Sequence, residues 1–166
     1  MINYKKILKT YGIKEYNFFC FSLLRLINER IDATALVYEY IDSVKKRSLK
    51  RYIYRRKLVR KYGIFIEEHT SISEGLRLPH PVDIVIGDGV KIGDNVTIFQ
   101  NVTLGSKGIG LHSYPVVERE CIIFSGAKIL GDIRLGESCI IGANSVLNTT
   151  TEPHSVYVGV PARKIK

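Results

Sequence analysis

Branched aliphatic residues recur at every sixth position through the second half of the chain. Ile86, Ile92, Ile98 and Leu104 form one run, and Val117, Ile123, Ile129, Leu135, Ile141 and Leu147 form another. An earlier run, Ile66, Ile72 and Leu78, sits two residues out of phase with the first. A period of six matches neither the 3.6 of an amphipathic helix nor the 2 of an alternating strand. It predicts a β-solenoid of short strands, in which each coil stacks on the one before. A β-sandwich has no reason to hold one phase through six successive repeats.

The hexads carry a finer pattern. Ile86-Gly87-Asp88-Gly89-Val90-Lys91 is followed by Ile92-Gly93-Asp94-Asn95-Val96-Thr97, and Leu135-Gly136-Glu137-Ser138-Cys139-Ile140 by Ile141-Gly142-Ala143-Asn144-Ser145-Val146. The first position fills the axis of the prism. The second is often Gly, and polar residues follow that tolerate a tight corner. The fifth position is small or medium (Val90, Val96, Val102, Cys121, Ala127, Cys139, Ser145), as a narrower inward site requires. Three hexads complete a coil, so Ile123 should stack with Ile141, and Cys121 with Cys139.

Residues 1–62 follow a different rule. No Gly or Pro stands between Ile13 and Lys61, and Tyr62-Gly63 is a helix stop. Two or three helices are expected there. Leu36, Val37, Tyr40, Ile41 and Val44 make one apolar stripe, and Leu49, Tyr52, Ile53 and Val59 another. Asp32 is the expected cap of the helix that carries the first stripe. The division is therefore a helical segment, 1–62, and a coil, 63–166, with an excursion at 105–116 and a C-terminal cap at 148–166.

Charge sharpens this division. Residues 1–63 hold 16 Lys/Arg against 5 Asp/Glu, whereas residues 64–166 hold 9 against 11, so all of the net +9 lies in the helical segment. A basic helix over 45–61 suits contact with an anionic membrane surface, or simply a solvated face on a packed helix. No nucleic-acid motif accompanies it, and nucleic acid is not an expected partner. Phe18–Leu24 is too short and starts too late for a signal peptide, and no stretch is long enough to span a bilayer. Three cysteines, Cys20, Cys121 and Cys139, give no disulfide framework. The reading is a cytoplasmic protein, peripheral at the inner face of the membrane if the basic helix docks there.

The hexads break twice, at Pro79–Val85 and at Gly105–Pro115, whose glycines, serines and proline have the chemistry of a loop leaving the coil. Loops on a rigid scaffold are where function concentrates.

The hexads resemble the hexapeptide-repeat acyltransferases when taken with four segments: Leu78-Pro79-His80-Pro81, Gln100–Gly105, Gly126-Ala127-Lys128-Ile129-Leu130-Gly131 and the ending Gly159-Val160-Pro161-Ala162-Arg163. Within that family they are similar to the serine acetyltransferase-like branch, which includes O-acetyltransferases of bacterial surface polysaccharides. The resemblance covers residues 63–166. It implies a mainly β protein, a left-handed parallel β-helix, with an N-terminal helical segment. It also implies a homotrimer, with acetyl-CoA bound as acyl donor between neighbouring subunits.

The resemblance places the catalytic base at His80, and a neutral imidazole suits removal of a hydroxyl proton near pH 7. Transfer would be direct, in a ternary complex. The main chain around Gly105 and Ser106 would hold the oxyanion. Ser125 and Ala143 would line the pantetheine arm, and Arg163 and Lys164 would meet the phosphates of coenzyme A. His112 and Tyr114 are candidates for the acceptor wall.

The chain also departs from the serine acetyltransferase pattern. Pro79 replaces an acidic residue, Phe65 stands where an aspartate orients the histidine, and Ser113-Tyr114 replace an Arg-His pair. With those groups gone, the expected acceptor is a saccharide hydroxyl on a polysaccharide, an oligosaccharide or a lipid-linked precursor. Serine O-acetylation in cysteine biosynthesis is the alternative, and a non-catalytic trimeric scaffold a further one. Glu67, Glu68 or a carbonyl is left to orient His80. No metal is expected: His69, His80, His112 and His154 lack the spacing of the zinc-bearing proteins built on the same coil.

Overall fold

The computed structural model describes residues 4–13 and 18–166, with the side chains of residues 18–20 and 23, Cys20 among them, outside the description. Four helices come first: α1 (Tyr4–Thr10), α2 (Phe18–Ile27), α3 (Glu29–Lys45) and α4 (Lys50–Tyr62). The first coil holds β1 (Phe65–Ile66) and β2 (Ser71–Ile72), and the second β3 (Val85–Ile86), β4 (Lys91–Ile92) and β5 (Thr97–Ile98). The third holds β6 (Thr103–Gly105), β7 (Val116–Val117) and β8 (Ile122–Ile123), and the fourth β9 (Lys128–Leu130), β10 (Arg134–Leu135) and β11 (Ile140–Ile141). The chain ends with β12 (Val146–Leu147), β13 (Val156–Gly159) and β14 (Ala162–Lys164).

These strands form three sheets, ordered β1-β3-β6-β9-β12, β10-β7-β4-β2 and β14-β13-β11-β8-β5. Every pairing is parallel except β13 with β14. One sheet forms each face of a triangular prism. Ile123 lies opposite Ile141, eighteen residues on, as the hexads predict. The two breaks lengthen the step: Ile66 lies opposite Ile86, and Leu104 opposite Ile129. The slip and the excursion thus add residues at corners and leave the inward register intact. Ile86, Ile98, Leu104, Ile123, Ile129, Leu135, Ile141 and Leu147 fill the axis, and the fifth-position residues from Val90 to Ser145 are buried beside them.

The fourth position explains the corners. Asn95, Asn101, Glu120, Ser138 and Asn144 all take positive φ there, as do Gly89 and Gly126. Asn144 Oδ1 occupies the space that a Cβ on Gly126 would need, so glycine in one coil and asparagine in the next form a matched pair.

The helices close the open end of the coil. The Tyr38 hydroxyl donates to Ser73 O at 2.7 Å and accepts the Leu76 N–H at 3.1 Å. The Tyr11 hydroxyl accepts the Leu78 N–H at 3.1 Å. These groups on the first coil have no strand beneath them, and the tyrosines supply the partners that a preceding coil would have given. At the other end β14 folds back on β13 and covers that edge.

Three expectations in the helical segment need correction, the first being the number of helices: four stand among the described residues where two or three are expected. Asn28, not Asp32, caps α3, its side chain accepting the N–H groups of Arg30 and Ile31. Asp32 lies one turn inside the helix and is buried, where it bonds Arg25, Lys61 and the Tyr62 hydroxyl. The second apolar stripe does not face the core: Leu49 is 77% and Ile53 57% exposed, and α4 packs instead through Leu58 and Tyr62. The first stripe packs as expected, with Leu36, Val37, Tyr40 and Ile41 buried.

Candidate active site

His80 stands on the corner that joins the Arg77 side of the first coil to β3, flanked by Pro79 and Pro81. Prolines on both sides restrict the backbone, and the extra residues of the slip push the imidazole outward, where it is exposed. Phe99 occupies the same corner one coil on, and Phe124 the next. The His80 and Phe99 rings are 6.0 Å apart, and Phe99 stacks on Phe124 at 5.1 Å. Ser125 and Ala143 continue that corner on the third and fourth coils. The structure therefore brings His80, Ser125 and Ala143 to one edge of the prism.

Gly105, Ser106, His112 and Tyr114 lie elsewhere. Gly105 ends β6 at the opposite border of the sheet, and the excursion leaves from that corner. The Ser106 hydroxyl donates to Leu111 O at 2.8 Å and pins the loop to itself. Tyr114 lies against Gly87 and Gly89, where a Cβ on either would come within 3.1–3.2 Å of its ring. His112 is exposed. Within one chain, then, the two halves of the expected site occupy different corners.

The expected orienting groups also lie away from His80. Glu67 pairs with Arg55 at 2.9 Å and Glu68 with Arg51 at 3.4 Å, both on the excursion's side of the prism. Phe65 is exposed on β1. The histidine that does carry a carboxylate is His69, whose Nδ1 is 2.7 Å from Asp88 Oδ1. Burial pushes the Asp88 carboxyl up, but hydrogen bonds from the His69 main chain and ring outweigh it and leave its pKa below the ordinary value. Counting eighteen residues per coil does not find this pair, because the slip at Pro79–Val85 lengthens that step and sets Ile66 opposite Ile86.

At the C-terminus, Arg163 and Lys164 are exposed on β14, and Lys164 bonds Glu152 at 2.5 Å. Buried Cys121 is a poor nucleophile: desolvation pushes its thiol up to about 12. Among the described residues no group of three His, Cys, Asp or Glu is placed to hold a metal ion. No helix among them is long and apolar enough to cross a membrane.

A cavity of about 310 Å³ opens at His80, lined by Ile27, Asn28, Glu29, Arg30 and the Pro79–Val82 turn. The start of α3 thus borders the base, a juxtaposition with no trace in the local sequence. A larger cavity of about 520 Å³ lies between α1, α3 and the first coil, but it contains no histidine.

Comparison with known proteins narrows the chemistry. Residues 114–149 match the model of the bacterial transferase hexapeptide, six repeats. A serine acetyltransferase of Buchnera aphidicola (subspecies Schizaphis graminum) is 37% identical over 129 residues, which cover 76% of this chain and 49% of that protein. The crystal structure of Neisseria gonorrhoeae serine acetyltransferase superposes with a TM-score of 0.83 at 27% identity, over 98% of this chain and 66% of that one. A serine acetyltransferase solved in complex with CoA superposes at 0.74 and 29% identity, over 81% and 56% of the two chains. The chain spans about half the length of the curated serine acetyltransferases of Buchnera aphidicola that it matches. The coil is the left-handed parallel β-helix that the resemblance implied.

The likeness overturns the expected saccharide acceptor and, with it, a place in polysaccharide biosynthesis. That expectation rested on the residues at Phe65, Pro79 and Ser113-Tyr114, whereas the likeness to serine acetyltransferases extends over 129 residues. Groups missing from three positions do not exclude an acceptor whose contacts can come from elsewhere around the base.

Proposed function

We propose that this member of the hexapeptide-repeat acyltransferase family is an acetyl-CoA-dependent serine O-acetyltransferase. The observation that carries the reading is His80, exposed on a corner of the coil in line with Ser125 and Ala143, within a chain resembling serine acetyltransferases.

His80 takes the proton of the serine hydroxyl while that oxygen attacks the thioester carbonyl. The tetrahedral intermediate collapses with loss of the coenzyme A thiolate, which recovers the proton from the imidazolium. O-acetylserine and free coenzyme A leave, and no acyl-enzyme forms. A positioned base of this kind contributes roughly 10²–10⁴-fold. Coenzyme A lies along the corner of Ser125 and Ala143, with Arg163 offered to its phosphates. Lys164 joins it only by leaving Glu152.

The separation of His80 from Gly105 and Ser106 favours a homotrimer. A neighbouring subunit that presents its excursion to this corner supplies the main-chain donors for the oxyanion. The site is then complete only between two subunits.

The test is release of the coenzyme A thiol from acetyl-CoA with L-serine as acceptor, for the wild type and His80→Ala. Turnover by the wild type, lost in the variant, supports the reading. Absence of turnover with L-serine in the wild type overturns it. Sedimentation of the purified chain as a monomer, still active, refutes the shared site.

A further inference from the structure

We propose that Glu29 and Arg30, the first two residues of α3, bind the α-ammonium and α-carboxylate of the amino-acid acceptor beside His80. The inference deepens the function proposed above and rests on it.

The problem it answers is chemical. Free serine near neutral pH is a zwitterion, and a site that selects it needs an anion and a cation flanking the base. The loop positions Ser113-Tyr114 offer neither charge, and Tyr114 is committed to packing on Gly87 and Gly89. The turn that holds His80 is Pro79-His80-Pro81, which is neutral apart from the base itself.

The cavity at His80 supplies both charges. Of the residues that line its 310 Å³ volume, Glu29 and Arg30 are the two with fixed charge, one of each sign. Both side chains are exposed, and neither makes a side-chain hydrogen bond or ion pair among the described residues. That sets Arg30 apart from Arg25, Arg51 and Arg55, each of which is paired with a carboxylate. Consecutive residues of a helix do not face each other, so the two charges line one cavity without neutralising one another.

The helix end itself does not do the binding. Asn28 Oδ1 already accepts the N–H groups of Arg30 and Ile31, at 3.1 and 3.4 Å. Recognition therefore falls to the side chains. A guanidinium matches a carboxylate with two parallel hydrogen bonds, and a carboxylate accepts from an ammonium. With both ends held, the serine hydroxyl is the group left to meet His80.

The experiment is steady-state kinetics on the full chain with three acceptors: L-serine, ethanolamine, which lacks the carboxylate, and 3-hydroxypropionate, which lacks the amine. Arg30→Gln should raise KM for L-serine about ten- to a hundredfold, the value of a lost charge-assisted hydrogen bond, with kcat changed by less than about threefold. It should leave ethanolamine unaffected, and Arg30→Lys should recover part of the loss. Glu29→Gln should raise KM for L-serine in the same way and leave 3-hydroxypropionate unaffected. A change in kcat alone, or equal losses with all three acceptors, would indicate a structural role and sink the proposal. So would unchanged KM in both variants of an active enzyme, and the function proposed above would survive that result. A wild type inactive with L-serine overturns the two together.

Discussion

The imidazole of His80 and the ring of Phe99 stand 6.0 Å apart on one corner of successive coils, tilted by 50°. Phe99 in turn stacks on Phe124, so the base sits at the foot of an aromatic ladder that follows the coil axis. An exposed histidine would otherwise sample several rotamers, and a rigid ring beside it narrows that choice. His80→Ala should cut kcat with L-serine by roughly 10²–10⁴-fold and leave the melting temperature within about a degree. Phe99→Ala should lower kcat less, while retaining the pH profile of the wild type. Near-normal turnover in His80→Ala, measured by thiol release, would remove His80 from the chemistry.

The tyrosines under the first coil make an opposed pair for stability. The Tyr38 hydroxyl serves two main-chain groups, Ser73 O and Leu76 N–H. The Tyr40 hydroxyl, two residues on, is buried with no partner among the described residues. Tyr38→Phe should therefore cost about 1–3 kcal/mol, because two edge groups lose their partner. Tyr40→Phe should be neutral or slightly stabilising, since it removes an unpaired polar atom. Urea unfolding of both variants checks this, and equal losses would show that edge capping is not what Tyr38 supplies.

Asp32 predicts an acid-labile link between helices. Burial raises its pKa, but hydrogen bonds from Lys61, Tyr62 and Arg25 outweigh burial and hold it below the ordinary value. A carboxylate with a depressed folded pKa gives its full stabilisation above the unfolded value, about 3.9, and loses it as pH falls through the folded one. Asp32→Asn should destabilise the protein at pH 7 by about 3 kcal/mol. It should also flatten the fall in stability below about pH 4. Denaturation curves between pH 7 and pH 2.5 that run parallel for wild type and variant would contradict this.

The core of the coil should respond to truncation by depth. Ile141 is fully buried between Ile123 and Tyr157 of the neighbouring coils, whereas Ile165 is exposed at the C-terminus. Ile141→Ala should cost about 2–5 kcal/mol, and Ile165→Ala less than about 0.5 kcal/mol. Calorimetric unfolding distinguishes them, and a small loss at Ile141 would mean that the coils around it collapse into the space.

Much of this was legible because a solenoid is nearly one-dimensional. Each hexad specifies its own corner and inward residues, so Ile123 over Ile141 follows from counting. The breaks were legible for the same reason, since extra residues in a fixed register must leave the coil. The segments around His80, Gly105 and Arg163 could be found wherever a motif was contiguous. The helical segment was read less well. Asn28 and Asp32 are both good caps, and only the position of Arg25 and Lys61 decides which is buried. The stripe of Leu49, Tyr52 and Ile53 has helical spacing yet faces outward, because Leu58 and Tyr62 meet the coil instead.

The sequence by itself determined the coil, its register and the corner on which His80 stands, because those depend on residues near one another in the chain and on a period repeated through it. Only the tertiary structure decided what surrounds His80. Phe99 stands beside it on the same corner with Phe124 stacked behind, Glu29 and Arg30 come through the docking of α3, and Glu67 and Glu68 are drawn away by Arg55 and Arg51. These contacts join segments far apart in the chain, and their geometry is fixed by how the helices pack on the first coil, which no local pattern of residues encodes.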